Sequence, residues 1–211
     1  MFERTSFMKP LPLPRLLGLA PVMALMLLLS GCIIPKVYLD PQYRAPELSV
    51  AATADPKPVK LIVTGLTNRK ANSAATKVWT KEVTAALEKS KAFALSDAPD
   101  AAILEIEINN IGDTDEAMKK GFVTGLTFGL AGSVVTDRYI MTATYKENGA
   151  ATFSGEYKHA LHTVIGVEDA PLEGVKPTSL RDAPAKLVED LIFNFVRDFQ
   201  SKATVAPVAA R

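Results

Sequence analysis

Tyr139–Lys146 (YIMTATYK), Glu147–Ala150 (ENGA) and Ala151–Ile165 (ATFSGEYKHALHTVI) are the stretch that decides the fold. The two outer runs read as strands of one hairpin. The Asn148-Gly149 pair between them suits the positive φ angles of a type I′ turn. His159 and His162 are three residues apart on the second arm. Strand spacing sends them to opposite faces, so they cannot share one metal ion, and the sequence predicts no metal site.

Upstream of the hairpin, Val59, Leu61 and Val63 alternate with Lys60, Ile62 and Thr64, a strand pattern. Polar residues Thr67 to Ser73 follow, and Asn72 or Ser73 can cap a helix. Ala75, Trp79, Val83, Ala86, Leu87 and Ser90 then fall on one helical face, with Lys77, Lys81, Glu88 and Lys89 elsewhere. Trp79 reads as a core anchor rather than a ligand platform. Phe93 to Leu95 is a short strand. Ala102, Leu104, Ile106 and Ile108 line one face of the next strand, with Glu105, Glu107 and Asn109 on the other. Glu105 and Glu107 have the spacing of a paired acid and base. A solvated sheet face is the stronger reading, because no His, Lys or metal-ligand cluster lies nearby in sequence.

Downstream of the hairpin, a helix is expected from about Asp182, with Thr178 or Ser179 as earlier caps and Pro184 in its first turn. Leu187, Leu191, Ile192, Phe195, Val196 and Phe199 form its apolar stripe. Ala203 to Arg211 reads as a frayed tail. Antiparallel strands with helices on one face make an α+β fold, a two-layer domain over 59–202 with a mainly antiparallel sheet and two packed helices. This order resembles the small domains of several envelope lipoproteins, among them the lipopolysaccharide-assembly lipoprotein and the secretion lipoproteins of curli and exopolysaccharide systems. The resemblance is of architecture only. No residue motif carries it, and it implies no functional residues.

Between the second and third long strands lies an unusual segment. Gly121 to Thr136 contains no charged residue, and Gly121, Gly125 and Gly129 recur every four residues, with Gly132 three further on. As a helix, these form a small-residue stripe that admits another backbone. As a strand, Phe122, Leu126, Phe128 and Leu130 share one face. Sixteen residues make about 24 Å of helix, short of a roughly 30 Å hydrocarbon core. Two readings stay open: a buried helix or loop of the domain, or a contact with membrane or partner through Gly121, Phe122, Gly125, Leu126, Phe128, Gly129, Leu130 and Gly132. A phosphate-binding loop is not indicated, since no G-x-G-x-x-G is present and no Gly-Lys-Ser/Thr follows.

The N-terminus speaks to location. Arg4, Lys9 and Arg15 make a positive front, with Met8 an alternative start to Met1. Leu16 to Leu29 is uncharged, of signal-core length and too short for a comfortable membrane span. The run closes on Leu29-Ser30-Gly31-Cys32, with the chain's single cysteine last. This resembles the lipobox signal peptide of bacterial lipoproteins. The resemblance implies cleavage between Gly31 and Cys32, a thioether-linked diacylglycerol on Cys32, and an acyl chain such as palmitate on its new amino group. Thiolate nucleophilicity explains why that position needs Cys. Ile33 follows the cysteine where Asp would favour inner-membrane retention. The resemblance therefore implies an outer-membrane address facing the periplasm.

Residues 1–31 carry three basic side chains and one acidic. The remaining 180 residues then hold 21 Lys plus Arg against 22 Asp plus Glu, a net charge of −1. No basic surplus points to nucleic acid. With Cys32 modified, an internal disulfide is excluded. Residues 32–58, punctuated by Pro35, Pro41, Pro46, Pro56 and Pro58, read as a lipidated, semi-rigid tether that lifts the domain from the lipid, with packing of Lys36 to Leu39 on the domain as the alternative. No G-x-S-x-G, H-E-x-x-H or usable Cys-His pair indicates an enzyme. The expectation is a non-enzymatic component of envelope assembly, secretion or transport. Its partners are the bilayer through Cys32 and an oligomer or envelope complex, with no cofactor beyond the covalent lipid. The alternatives are a small-ligand or glycolipid carrier, or an envelope hydrolase.

Overall fold

The computed structural model describes residues 35–45, 55–112, 133–165 and 172–205. Its strands are β1 (Lys36–Leu39), β2 (Lys57–Thr67), β3 (Lys70–Ala71), β4 (Phe93–Leu95), β5 (Ala102–Gly112), β6 (Ser133–Glu147) and β7 (Ala150–Ile165). Its helices are α1 (Ser73–Ser90) and α2 (Ala183–Val205), with a short 3-10 turn at Pro41–Tyr43. The strands form one sheet in the order β1-β7-β6-β5-β2-β3, and β4 adds to β2. The pairs β2–β5 and β2–β4 are parallel and all others antiparallel. Parallel neighbours need a crossover, and α1 supplies it between β2 and β5. Both helices pack on one face of the sheet. The fold is α+β, as the order of elements predicts.

The β6–β7 hairpin is the spine. Its turn carries Asn148 at φ 52° and Gly149 at φ 78°, the positive pair that a type I′ connection demands. Odd-numbered residues of both arms face the helices: Tyr139, Met141, Ala143 and Tyr145 on β6, and Phe153, Tyr157, His159 and Leu161 on β7, all buried. The stripe of α2 inserts here. Phe195, fully buried, stacks on Phe93 with ring centroids 5.7 Å apart and planes 5° apart, and meets Phe153 and Tyr157 edge-on. Phe199 packs against Phe93, Tyr145 and Phe153 in the same cluster.

Helix α1 is seated by its N-terminus. Asn72 accepts the Ala75 amide as N-cap, and Lys91 closes the other end in the left-handed region at φ 54°. The first turn lies so near β2 that a Cβ on Gly65 would sit 2.4 Å from the Thr76 nitrogen. In place of a side chain, the Gly65 amide donates to Thr76 Oγ1 at 2.9 Å. Only glycine permits this approach.

Several sequence boundaries are corrected. Lys36–Leu39, assigned to the tether, is instead an edge strand in register with β7, Tyr38 opposite His162. The apolar pair Val37 and Tyr38 explains this, since both are buried. Val37 also exchanges backbone hydrogen bonds with Thr178 on its other side. The domain therefore starts at Lys36 rather than Val59, and β2 itself starts at Lys57. Residues 133–136 of the glycine-rich segment belong to β6, because they continue the antiparallel ladder to β7. Helix α2 extends to Val205, into the segment read as a tail.

Candidate functional site

The lipid-attachment and cleavage residues Cys32 and Gly31 lie outside the described residues, as do Gly121, Phe122, Gly125, Leu126, Phe128, Gly129, Leu130 and Gly132. The other singled-out residues are placed. Trp79 is buried, edge-on to Tyr139 at 5.8 Å, with no hydrogen-bond partner for Nε1 among the described residues. It is a core anchor. Glu105 and Glu107 share the face of the sheet opposite α1 and α2. Glu105 Oε1 accepts from Lys146 Nζ at 2.6 Å, while Glu107 is exposed opposite Thr142. One is ion-paired and the other solvated.

The two histidines do lie on opposite faces of β7. His159 points into the core, where the Ala160 amide donates to its Nδ1 at 2.8 Å. Its Nδ1 also lies 3.1 Å from the Ala160 carbonyl, and its Nε2 faces the acceptor Asp190 Oδ2 on α2 at 3.1 Å. Asp190 Oδ1 accepts the Ala45 amide at 3.0 Å. Asn194, one turn on, donates to the Tyr43 carbonyl at 3.2 Å, and the Asp40 amide donates to the Ala160 carbonyl at 3.1 Å. These bonds latch residues 40–45 onto β7 and α2. With both nitrogens engaged in this buried network, His159 is not placed as a general base. The sequence set His159 and His162 on opposite faces without assigning either to the core. It did not show Asp190 and Asn194 as partners, because they sit at the margin of the apolar stripe.

His162 faces the other way, into a cleft of about 420 Å³ between the turn after β1 and the sheet face opposite α1 and α2. Thr136, Arg138 and Ile140 of β6, Lys158 and Ala160 of β7, Ile111 of β5 and Asp40 line it. Thr136 Oγ1 is 2.9 Å from His162 Nδ1, and Asp40 Oδ2 is 3.6 Å from His162 Nε2. The order hydroxyl, imidazole, carboxylate is that of a hydrolytic triad. The outer distance is too long for the hydrogen bond that would orient the ring. A second cavity of about 450 Å³ adjoins it across Tyr43 and Lys158, with Arg44, Arg197, Asn194 and Glu156 in its wall. The two cavities share Tyr43 and Lys158, and their charged lining is Arg44, Arg138, Lys158 and Arg197 against Asp40 and Glu156. Arg197 is paired with Asp198 at 3.1 Å and Lys158 with Glu156 at 3.3 Å.

Among the groups with perturbed titrations, Tyr139 lines the cleft and Tyr157 the adjoining cavity, both phenols raised mainly by burial. Burial pushes the Asp137 carboxyl up, and a hydrogen bond from Asn110 partly offsets it. Burial, then the Asp137 charge, raises the Tyr139 phenol. At the hairpin tip, the Tyr145 hydroxyl donates to Glu147 at 2.7 Å and, with smaller help from Lys57, holds that carboxyl below its usual range. Among the described residues, no group of three or more His, Cys, Asp or Glu side chains could hold a metal ion, and no helix is long and apolar enough to cross a membrane.

No protein-family model matches the chain, and no curated protein matches it in sequence. Solved structures resemble it at low identity. A provisionally assigned lipoprotein from Caulobacter crescentus CB15 is 12% identical, with 72% of this chain and 93% of that one covered and a TM-score of 0.40. A minor lipoprotein from Acinetobacter baumannii is 13% identical over 70% and 94%, with a TM-score of 0.37. PelC from Paraburkholderia phytofirmans, solved as a dodecamer, is 12% identical over 76% and 96%, with a TM-score of 0.33. None of these likenesses carries a functional residue to this chain.

Proposed function

We propose that this protein is an outer-membrane lipoprotein, anchored through acylated Cys32 and facing the periplasm. Its α+β domain acts as a non-enzymatic binding component of envelope assembly, secretion or transport. The observation that carries the reading is the charged front, the uncharged run Leu16–Leu29 and the terminal Leu29-Ser30-Gly31-Cys32. Stable anchoring takes at least two chains at about 0.8 kcal/mol per buried CH₂, and the lipobox chemistry supplies them. The domain supports a binding role rather than chemistry: His159 serves a structural latch, Glu105 is ion-paired, and among the described residues His162 has no carboxylate within hydrogen-bond reach, Asp40 standing at 3.6 Å.

The glycine segment is the proposed contact with a second copy or an envelope partner. Gly125→Leu is expected to abolish a larger complex on native sizing of the detergent-extracted lipoprotein while leaving the melting temperature unchanged or higher. A variant that melts lower and assembles normally assigns the segment to the core. The carrier reading is favoured by one observation, the 420 Å³ cleft. The address is tested by fractionating native membranes. Recovery in the outer membrane is expected, and recovery in the inner membrane contradicts the role assigned to Ile33.

A further inference from the structure

The first strand of the domain follows the anchor closely. Ile33, Ile34 and Pro35 alone separate Cys32 from Lys36, so the covalent link is at most about 14 Å long even when fully extended. Beyond it the chain is not free. Lys36–Leu39 is hydrogen-bonded into the sheet, and residues 40–45 are latched by Ala160, Asp190 and Asn194. A lipid on Cys32 thus holds the β1 edge of the sheet near the headgroups, with little slack.

The charge at that edge is one-sided. Lys36 on β1, Arg138 on β6 and Lys158 on β7 share the face opposite α1 and α2, and Arg44 follows the 3-10 turn at the edge of the sheet. All four are exposed. Among the described residues, Asp40 and Glu156 are the acids that line the cleft and the adjoining cavity, two against the four cations Arg44, Arg138, Lys158 and Arg197. Arg44 and Arg138 make no ion pair among the described residues. Arg138 and Lys158 are diagonal neighbours on adjacent strands, because Arg138 pairs with Ala160 and Ile140 with Lys158. Their side chains flank the cleft, which also offers the Thr136 hydroxyl and the apolar Ile111 and Ile140. The opposite end of the same face differs: Glu105 is bound to Lys146 and Glu107 stands beside them.

From these observations, and resting on the lipid-anchor reading above, we infer that the face carrying Lys36, Arg138 and Lys158, with Arg44 at its β1 rim, lies on an anionic phospholipid surface, with a headgroup phosphate entering the cleft between Arg138 and Lys158. The anchor brings the face to the bilayer. The cations choose which face turns toward it. Each surface cation contributes attraction that decays within a Debye length, so the docked orientation is sensitive to lipid charge and salt.

The test uses the full acylated lipoprotein. Its only cysteine is blocked by the thioether, so an introduced thiol is uniquely labelled. A fluorophore is placed at Gln42→Cys, exposed on the 3-10 turn, or at Ala150→Cys, eight residues from Lys158 along β7 and roughly 26 Å away. Each protein is reconstituted into vesicles of phosphatidylcholine alone or with phosphatidylglycerol, both containing a headgroup-attached quencher. Acylation is verified by intact mass beforehand.

Quenching at position 42 but not 150 is expected, stronger with phosphatidylglycerol and reversed by high salt. Arg44→Ala with Arg138→Ala should lower the docked-to-undocked ratio about thirty-fold, with no change in melting temperature. Equal quenching at both positions, or quenching indifferent to lipid charge and to the double variant, in acylated protein overturns this inference and leaves the anchor reading standing. A protein without acyl chains overturns both.

Discussion

Asp190→Ala tests the latch that fixes the first folded residues to the domain. Asp190 accepts two hydrogen bonds, from His159 Nε2 at 3.1 Å and from the Ala45 amide at 3.0 Å. The His159 side chain is fully buried, so its N–H finds no water when the carboxylate is removed. A buried donor left without a partner costs about 1–3 kcal/mol, and the Ala45 amide adds a similar, smaller amount because it is nearer the surface. The gain in helix propensity on going to Ala returns about 0.5 kcal/mol. The net loss is roughly 2–5 kcal/mol, or a fall in Tm of roughly 5–15 °C for a domain of this size. Asp190→Asn, which retains one carbonyl acceptor, should lose about half as much. The assay is a thermal melt paired with amide hydrogen exchange. The Ala45 amide should lose protection while those of α1 keep theirs. A second arm combines His159→Phe with Asp190→Ala. Removing both partners spares the orphaned donor, so the double variant should be more stable than the sum of the singles requires. An Asp190→Ala protein that melts within about 0.5 kcal/mol of the parent, with Ala45 still protected, refutes the reasoning.

Three further outcomes are expected. Gly65→Val forces a side chain into the backbone of Thr76 and should destabilise by at least about 1–3 kcal/mol in denaturant titration, whereas an unchanged midpoint shows that α1 can shift freely. Phe195→Ala empties the centre of the aromatic cluster and should cost about 3–5 kcal/mol by the same measurement. Tyr145→Phe removes the main hydrogen bond to Glu147 and should raise that carboxyl's pKa toward its ordinary 4.5 in an NMR titration. The Glu147 pKa is depressed in the folded state. Its contribution to stability is therefore present above the ordinary carboxylate value and fades as pH falls through the folded one, and the variant should flatten that slope.

The fold was legible where one local rule dominates. Asn148-Gly149 tolerates the positive φ angles of the hairpin turn, and the runs Tyr139–Lys146 and Ala151–Ile165 on either side mark its two arms. The α2 stripe was equally plain because six apolar residues repeat at helical spacing. Lys36–Leu39 was not legible as a strand. Four residues among prolines carry too little periodicity, and only the pairing of Tyr38 with His162, some 120 positions on, makes them a strand. The same holds for the candidate site. Strand spacing separated His159 from His162, but the partner of His159 comes from another element, and no spacing rule links them. Arg138 and Lys158 are unremarkable in sequence and become neighbours only through the hairpin register. The β6 boundary was missed because Ser133–Thr136 is uncharged and continues the composition of the glycine-rich stretch, while its ladder to β7 is a tertiary fact.

The anchor at Cys32 is the claim on which location, function and the lipid-facing surface all depend. Mass spectrometry of the N-terminal peptide from membrane-extracted protein tests it most directly. The account predicts a peptide that begins at Cys32 and carries a diacylglycerol on sulfur and an acyl chain on nitrogen. A peptide that begins elsewhere, or one in which Cys32 bears a free thiol, contradicts it.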